Sequence, residues 1–317
     1  MPELKFAHIK ARLPIIQGGM AVRVSTHKLA AAVANEGAIG VIAGTGLSVQ
    51  RLQEEIQKAR SLTAGYLGVN VLFAVTQFSQ LVRAAMKEKI DFIVSGAGFS
   101  RDIFTWGKEM NVPVVSIASS VRVARLAEKM GAAAVVLEGK EAGGHLGTDR
   151  PVFDILPEVL EAVEIPVIAA GGIMSGGDIA RALQMGASGV QMATRFVASE
   201  ECEASHAYKA KYLNSLPEDS VLIDSPVGMP GRAIRNNLTE RLKNGQKITS
   251  RECRQCLKNC SHSFCILEAL EKAVEGDVEN GLVFSGEYFA RIKEILPVHR
   301  IIEQLVSEYE EHQKNTS

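Results

Sequence analysis

A (β/α)8 barrel carrying a smaller, mainly helical second domain is the fold class this sequence predicts. Eight short Val- and Ile-rich runs, at 13–17, 38–43, 67–72, 92–95, 113–117, 133–137, 166–170 and 189–193, recur with helical stretches between them. They are apolar throughout instead of alternating, which is the pattern of strands buried on both faces. The stretches at 49–61, 78–88, 121–129, 152–163 and 178–185 read as amphipathic helices. Eight βα units in about 200 residues suit a closed parallel barrel. An open doubly wound sheet is the alternative, but no early Gly-x-Gly-x-x-Gly opens a helix after the first strand.

After Phe196 the rhythm stops. A charged helical stretch at 200–213, a Pro- and Gly-containing stretch at 225–235 and a polar, cysteine-bearing stretch at 244–261 follow. Residues 1–199 and 273–317 are assigned to the barrel, and 200–272 to a lid. The segment 282–308 is read as helix returning to the barrel wall.

The bulk numbers suit a globular protein with a large core: 317 residues, 46% hydrophobic and 22% charged. The net charge of −1 gives no basic surface for nucleic acid. Neither a signal-peptide pattern nor a membrane span of roughly 18 apolar residues is present. A cytoplasmic location and no membrane partner are therefore expected.

In such a barrel, reacting groups sit at the C-terminal ends of the strands. The sixth run leads into Glu141-Ala142-Gly143-Gly144-His145-Leu146-Gly147, three glycines around one histidine. Glycine lets backbone approach a ligand closely, and histidine exchanges protons near neutral pH. The other reading is a Gly-rich turn with a solvated histidine. The strand-seven and strand-eight loops hold Gly171, Gly172 and Thr194, with a helix starting near 176–178. Backbone N–H groups, a hydroxyl and a helix dipole there suit a phosphate site, the other reading being that Gly171-Gly172 simply makes a tight turn.

The chain resembles the nitronate monooxygenase family, and within it the flavin-dependent enoyl-acyl-carrier-protein reductases of type II. The resemblance rests on Pro14-Ile15-Ile16-Gln17-Gly18-Gly19-Met20, Gly68-Val69-Asn70, the segment from Glu138 to Gly147, the runs at 166–173 and 189–196, Val227-Gly228-Met229-Pro230 with Arg232 and Asn236, and Gly276 to Gly281. It implies an FMN in the barrel mouth. Gly171, Gly172, Ala193 and Thr194 would hold its phosphate; Ala193 stands where the family usually has glycine. Gln17, Gly18, Gly19, Met20, Asn70 and Glu138, with Gly143 and Gly144, would line the flavin. His145 would be the catalytic residue on the substrate side. NAD(P)H would be the co-substrate of an enoyl-thioester reductase, while a nitronate oxidase would use O2. A non-catalytic flavin or iron–sulfur redox protein is the reading from a different class. The expected partner is a small-molecule or acyl-carrier-linked substrate, and a homodimer is the candidate oligomer.

Cys253, Cys256, Cys260 and Cys265 depart from the family, with spacing C-x2-C-x3-C-x4-C. Four thiols so close suggest a metal site, a [4Fe–4S] cluster ahead of zinc, with free thiols or disulfides as alternatives. Arg232, Arg235 and Lys243 read as either phosphate contacts or a solvated basic face. His27 is expected on the surface at a helix start.

Overall fold

The computed structural model describes residues 1–96, 98–248 and 252–316. Ala97 of the strand-four loop and 249–251 ahead of the cysteines lie outside the described residues. All eight apolar runs are strands, in order Ile15–Gln17, Gly40–Ala43, Leu67–Leu72, Phe92–Gly96, Val114–Ala118, Ala134–Glu138, Val167–Ala170 and Gly189–Met192. Each pairs in parallel with its sequence neighbour, and the eighth with the first. The ring closes where Ile16 bridges Ile39: Gln17 N–H donates to the Ile39 carbonyl at 2.8 Å, and Ile39 N–H to Ile15 at 2.9 Å.

Continuous apolarity now has a reason. Along the strands one residue enters the barrel and the next meets the helices. Phe92, Val94, Ala134, Val136 and Ile168 fill the interior. Ile93, Val135, Val167 and Ala169 join the layer between barrel and helices. A hairpin ahead of the barrel, Leu4–Phe6 with Ile9–Ala11, plugs the N-terminal end. Its Phe6 ring meets Phe92 edge-on at 5.5 Å.

The expected helices appear as Val49–Leu62, Phe78–Lys87, Val121–Lys129, Val152–Leu160 and Gly176–Gln184. Two further helices, His27–Asn35 and Asp102–Met110, stand out less in the sequence. The first is short and mostly Ala and Val; the second contains Gly107 and stops at Asn111, whose φ is +53°.

Over the mouth, helices His206–Asn214, Asn237–Lys243 and Ile266–Glu275 are joined by an antiparallel hairpin, Ser220–Asp224 with Pro230–Ile234. The hairpin and the last two of these helices share a small core of Ile223, Ala233, Leu238, Phe264, Ile266, Ala269 and Leu282, while Tyr208 and Tyr212 of the first join the barrel's core. The hairpin is absent from the helical expectation, although the turn at 225–229 carries its Pro/Gly signature. The expected helix at 282–308 is shorter at its start: the chain is irregular to Pro297, apart from a turn of 3-10 helix at Phe289–Arg291, and Val298–Thr316 is the helix. It returns to the wall as expected, with Glu308 Oε2 accepting Gly176 N–H at 2.7 Å. Among the described residues, no helix is long and apolar enough to cross a membrane.

Gly40 sets the seat of the first helix. A Cβ there would lie 1.9 Å from the Ala30 carbonyl oxygen. Gly40→Ala should destabilise the fold by about 3 kcal/mol or more, because backbone itself must move. Gly131→Ala, at φ +89° with nothing within 4 Å, should cost only about 1 kcal/mol through its backbone angle. Urea denaturation of both variants checks the order.

Candidate active site

The strand ends enclose a cavity of about 500 Å³. Gly18, Gly19 and Met20 from strand one, Asn70 from strand three and Glu138 from strand six border it, together with Gly143, Gly144, His145, Ala193 and Thr194. It shares Glu138, Gly143, Ala193 and Thr194 with a recess of about 50 Å³ whose walls are Gly171 and Gly172. These two glycines adopt φ of +98° and +72°, backbone that other residues strain to adopt. A Cβ on Gly19 would fall 2.6 Å from Asn70 Cβ, and one on Gly143 2.6 Å from the Ser285 carbonyl carbon. Side chains at these two positions would collide with the walls of the cavity. Thr194 Oγ1 accepts Gly286 N–H at 2.9 Å, which leaves its hydroxyl hydrogen to donate. Asn70 Nδ2 donates to the Gly19 carbonyl at 3.0 Å, while its buried Oδ1 has no partner. A buried acceptor left unpaired is costly, so Asn70 is set for a donor on a ligand.

His145 is held by the lid. Gly144–His145 forms the third strand of the lid hairpin, His145 opposite Gly231 and Gly144 opposite Arg232. Leu146 N–H adds a bond to the Pro230 carbonyl at 2.9 Å. The imidazole Nε2 lies 2.8 Å from Ser225 Oγ, and the ring meets Phe284 edge-on at 5.2 Å. Glu141 anchors the other end of the loop, its Oε2 accepting Val152 N–H at 3.1 Å. Ser225 and Phe284 were not legible as site residues. Serine is common in turns, and only the strand pairing brings position 225 to position 145.

Burial sets the charges. It lowers the His145 pKa to about 4 and raises that of Glu138 to about 7. Glu138 keeps some accessible surface, but that surface borders the cavity and not bulk solvent.

Several expectations are corrected. Gln17 does not line the cavity; fully buried, it supports the Gly18–Ser25 loop from behind, with Nε2 donating to Ser25 Oγ at 2.8 Å and Oε1 accepting Val41 N–H at 3.2 Å. The helix N-terminus at Gly176 is not open to a phosphate, because two carboxylates already occupy it. Asp178 accepts from Met174 N–H and Ser175 N–H at 3.0 Å, and Glu308 takes Gly176 N–H. Arg232 is buried, not part of a solvated face or a phosphate contact; it donates to the Lys140 carbonyl at 2.9 Å and Ser220 Oγ at 3.1 Å. His27 is not a surface residue: its Nδ1 lies 2.6 Å from the buried Glu55 carboxylate, which Arg51 also meets at 2.8 Å.

The metal expectation finds no support. Among the described residues, no group of three or more His, Cys, Asp or Glu side chains is gathered to hold an ion. Cys253, Cys256, Cys260 and Cys265 are free thiols, with Cys253 exposed. The middle of their loop is tied to the barrel. Thr76 N–H donates to the Cys256 carbonyl at 3.0 Å, Lys258 N–H to Ala74 at 2.9 Å, and Leu257 bridges Val75. The other three thiols still lie near enough to Cys256 to act on its charge. Burial, with the neighbouring thiols, raises the Cys256 pKa.

The two perturbed groups leave opposite marks on stability. Between pH 6.5 and 4 an unfolded His145 takes a proton that the folded one refuses, so stability falls as pH drops. Between pH 4.5 and 7 a folded Glu138 keeps a proton that the unfolded one gives up, so stability falls as pH rises. Each shift corresponds to about 3 kcal/mol. In flavin-free protein, His145→Gln should flatten the acid-side loss and Glu138→Gln the loss toward neutrality. Urea midpoints from pH 4 to 8 would show both; slopes unchanged from wild type would contradict the burial argument.

Comparison with known proteins places this geometry. The family model for nitronate monooxygenase matches residues 3–90 and 67–308. A Staphylococcus aureus (strain JH9) protein named "Probable nitronate monooxygenase" is 33% identical over 274 residues, covering 72% of this chain and 77% of that one. Among solved structures, FabK from Thermotoga maritima superposes with a TM-score of 0.87 at 33% identity, covering 96% of this chain and 95% of that one. A nitroalkane oxidase from Streptomyces ansochromogenes gives 0.83 at 27% identity, covering 97% and 98%. The chain belongs to the nitronate monooxygenase family and is an enzyme of its flavin-dependent oxidoreductase class.

Proposed function

We propose that the chain is an FMN-dependent oxidoreductase that uses NAD(P)H to reduce an enoyl thioester, small or carried on an acyl carrier, with His145 as its acid/base residue. The observation that carries this reading is the continuity of one cavity. It runs from Ala193 and Thr194, past His145, to an apolar wall of Val227, Leu257, Ile266, Leu267 and Leu270. A hydrophobic wall beyond the reacting centre suits an acyl chain. The glycine cradle, the spare Thr194 hydroxyl and the unpaired Asn70 Oδ1 fit FMN. Gly171, Gly172, Ala193 and Thr194 would hold its phosphate. Gly18, Gly19, Met20, Asn70 and Glu138, with Gly143 and Gly144, would line its ring and ribityl chain. When bound, FMN supplies hydride transfer, and the chain supplies orientation and protons.

His145 is neutral at physiological pH, so it acts by hydrogen bonding to a substrate oxygen and by moving one proton, not as a fixed cation. In this reading residues 1–199 and 273–317 form the cofactor-binding unit, and 200–272 the lid that keeps water from the substrate. Oxidation of an alkyl nitronate with O2 is the second reading. The name carried by the Staphylococcus aureus relative and the likeness to the nitroalkane oxidase support it.

The purified protein should release FMN on denaturation. NADH or NADPH oxidation with an enoyl thioester under argon should exceed O2 uptake with an alkyl nitronate; the reverse order would establish the second reading. His145→Ala should keep flavin and lose about 10²- to 10⁴-fold in turnover. Undiminished turnover with flavin retained would reject the acid/base role.

A further inference from the structure

The tautomer of His145 is settled by a residue that belongs to neither the barrel nor the glycine cradle. We propose that Ser225, in the turn of the lid hairpin, is a positioning residue. Its hydroxyl donates to His145 Nε2 and so fixes the imidazole with its proton on Nδ1.

The argument is a count of hydrogens. Ser225 is 4% exposed, so its hydroxyl must be satisfied inside the protein. The turn holds it in place. Gly228 N–H donates to the Ser225 carbonyl at 2.9 Å and Ser225 N–H to Met229 at 3.2 Å, with Pro226 at the position where its fixed φ favours such a turn. Ser225 Oγ accepts Val227 N–H at 3.4 Å. The hydroxyl hydrogen then needs an acceptor, and among the described residues the one bonded to Oγ is His145 Nε2, at 2.8 Å. With the opposite polarity, the ring N–H would donate to Oγ and the serine hydrogen would be buried with no acceptor. A neutral imidazole has one N–H. If Nε2 accepts, Nδ1 carries it. Nδ1 makes no hydrogen bond to protein among the described residues, and the residue borders the cavity.

The consequence for chemistry rests on the proposed function. A ring with its hydrogen on Nδ1 arrives as a donor to a thioester carbonyl. The other tautomer would arrive as an acceptor. The lid thus decides which of the two the barrel presents, although it contributes no atom to the reaction.

The test is long-range proton–nitrogen correlation NMR on protein carrying 15N-histidine, with the His145 signals assigned by their loss in His145→Gln. Wild type should show Nε2 as the unprotonated nitrogen and Nδ1 as the protonated one. Ser225→Ala should move the proton to Nε2, the tautomer that free imidazole side chains prefer. Ser225→Thr, which keeps the hydroxyl, should restore Nδ1–H. In turnover, Ser225→Ala should lower kcat by about tenfold or more with little change in KM, and Ser225→Thr should recover it. Wild type with its proton already on Nε2 would overturn the proposal even if neither Ser225 variant folds. So would a tautomer unchanged in Ser225→Ala. Neither result bears on the substrate, which the enoyl-thioester and nitronate assays decide separately.

Discussion

The three-stranded sheet made by Gly144–His145 and the lid hairpin is the constraint on which the rest of the site depends. A glycine-rich loop on a strand end has many backbone conformations. Pairing it to Pro230–Ile234 removes them at one stroke, and Arg232 adds a bond from the same strand back to Lys140. The catalytic candidate is therefore neither a barrel residue nor a lid residue. It lies on the seam, and its orientation is only as good as the docking of the two parts. Rigid support of this kind distinguishes a positioned group from a merely nearby one.

The seam has a second fastening on the far side of the mouth. Leu257 bridges Val75, and the Lys258 ammonium sits 3.6 Å from the Phe73 ring centroid while donating to the Phe73 carbonyl at 2.7 Å. The cysteine loop is thus held by backbone pairing and by a cation over an aromatic face. Its thiols are left as side branches. Cys256 comes to the cavity wall because its neighbours are tied to the loop after the third strand.

Much of the barrel was legible because one physical rule governs it: strands covered on both faces must be apolar at every position, and eight such runs are hard to mistake. The need for glycine at 171, 172 and 143 was legible for a similar reason, since few other residues fit a backbone at φ of +98° and +72° or one that packs against Ser285. What escaped depended on partners distant in sequence. The helix at Gly176 looked free to meet a phosphate, but Glu308, more than 130 positions later, had taken it. Gln17 stood beside the cavity in sequence, yet its side chain faces away. Arg232 looked like one of three basic residues in a polar stretch and proved a buried brace. The cysteine spacing suggested a metal; the structure pairs 256–258 with 74–76, and no group of three or more candidate ligands is gathered among the described residues. Ser225 carried no signal of its own, because its role exists only once the hairpin lies across the loop.

The paired shifts of Glu138 and His145 say something about which molecules the deep mouth admits. From about pH 4 to about 7 the imidazole has no proton to spare for a positive charge, and the carboxyl retains the one that would make it negative. The two groups thus add no net charge of their own, and among the described residues the charged side chain left in the cavity lining is Arg254. An ion entering there surrenders its hydration and meets no countercharge from this pair. An uncharged ester or amide-like group surrenders little and finds donors waiting. Between those pH values the pair contributes hydrogen-bonding atoms and no charge of its own.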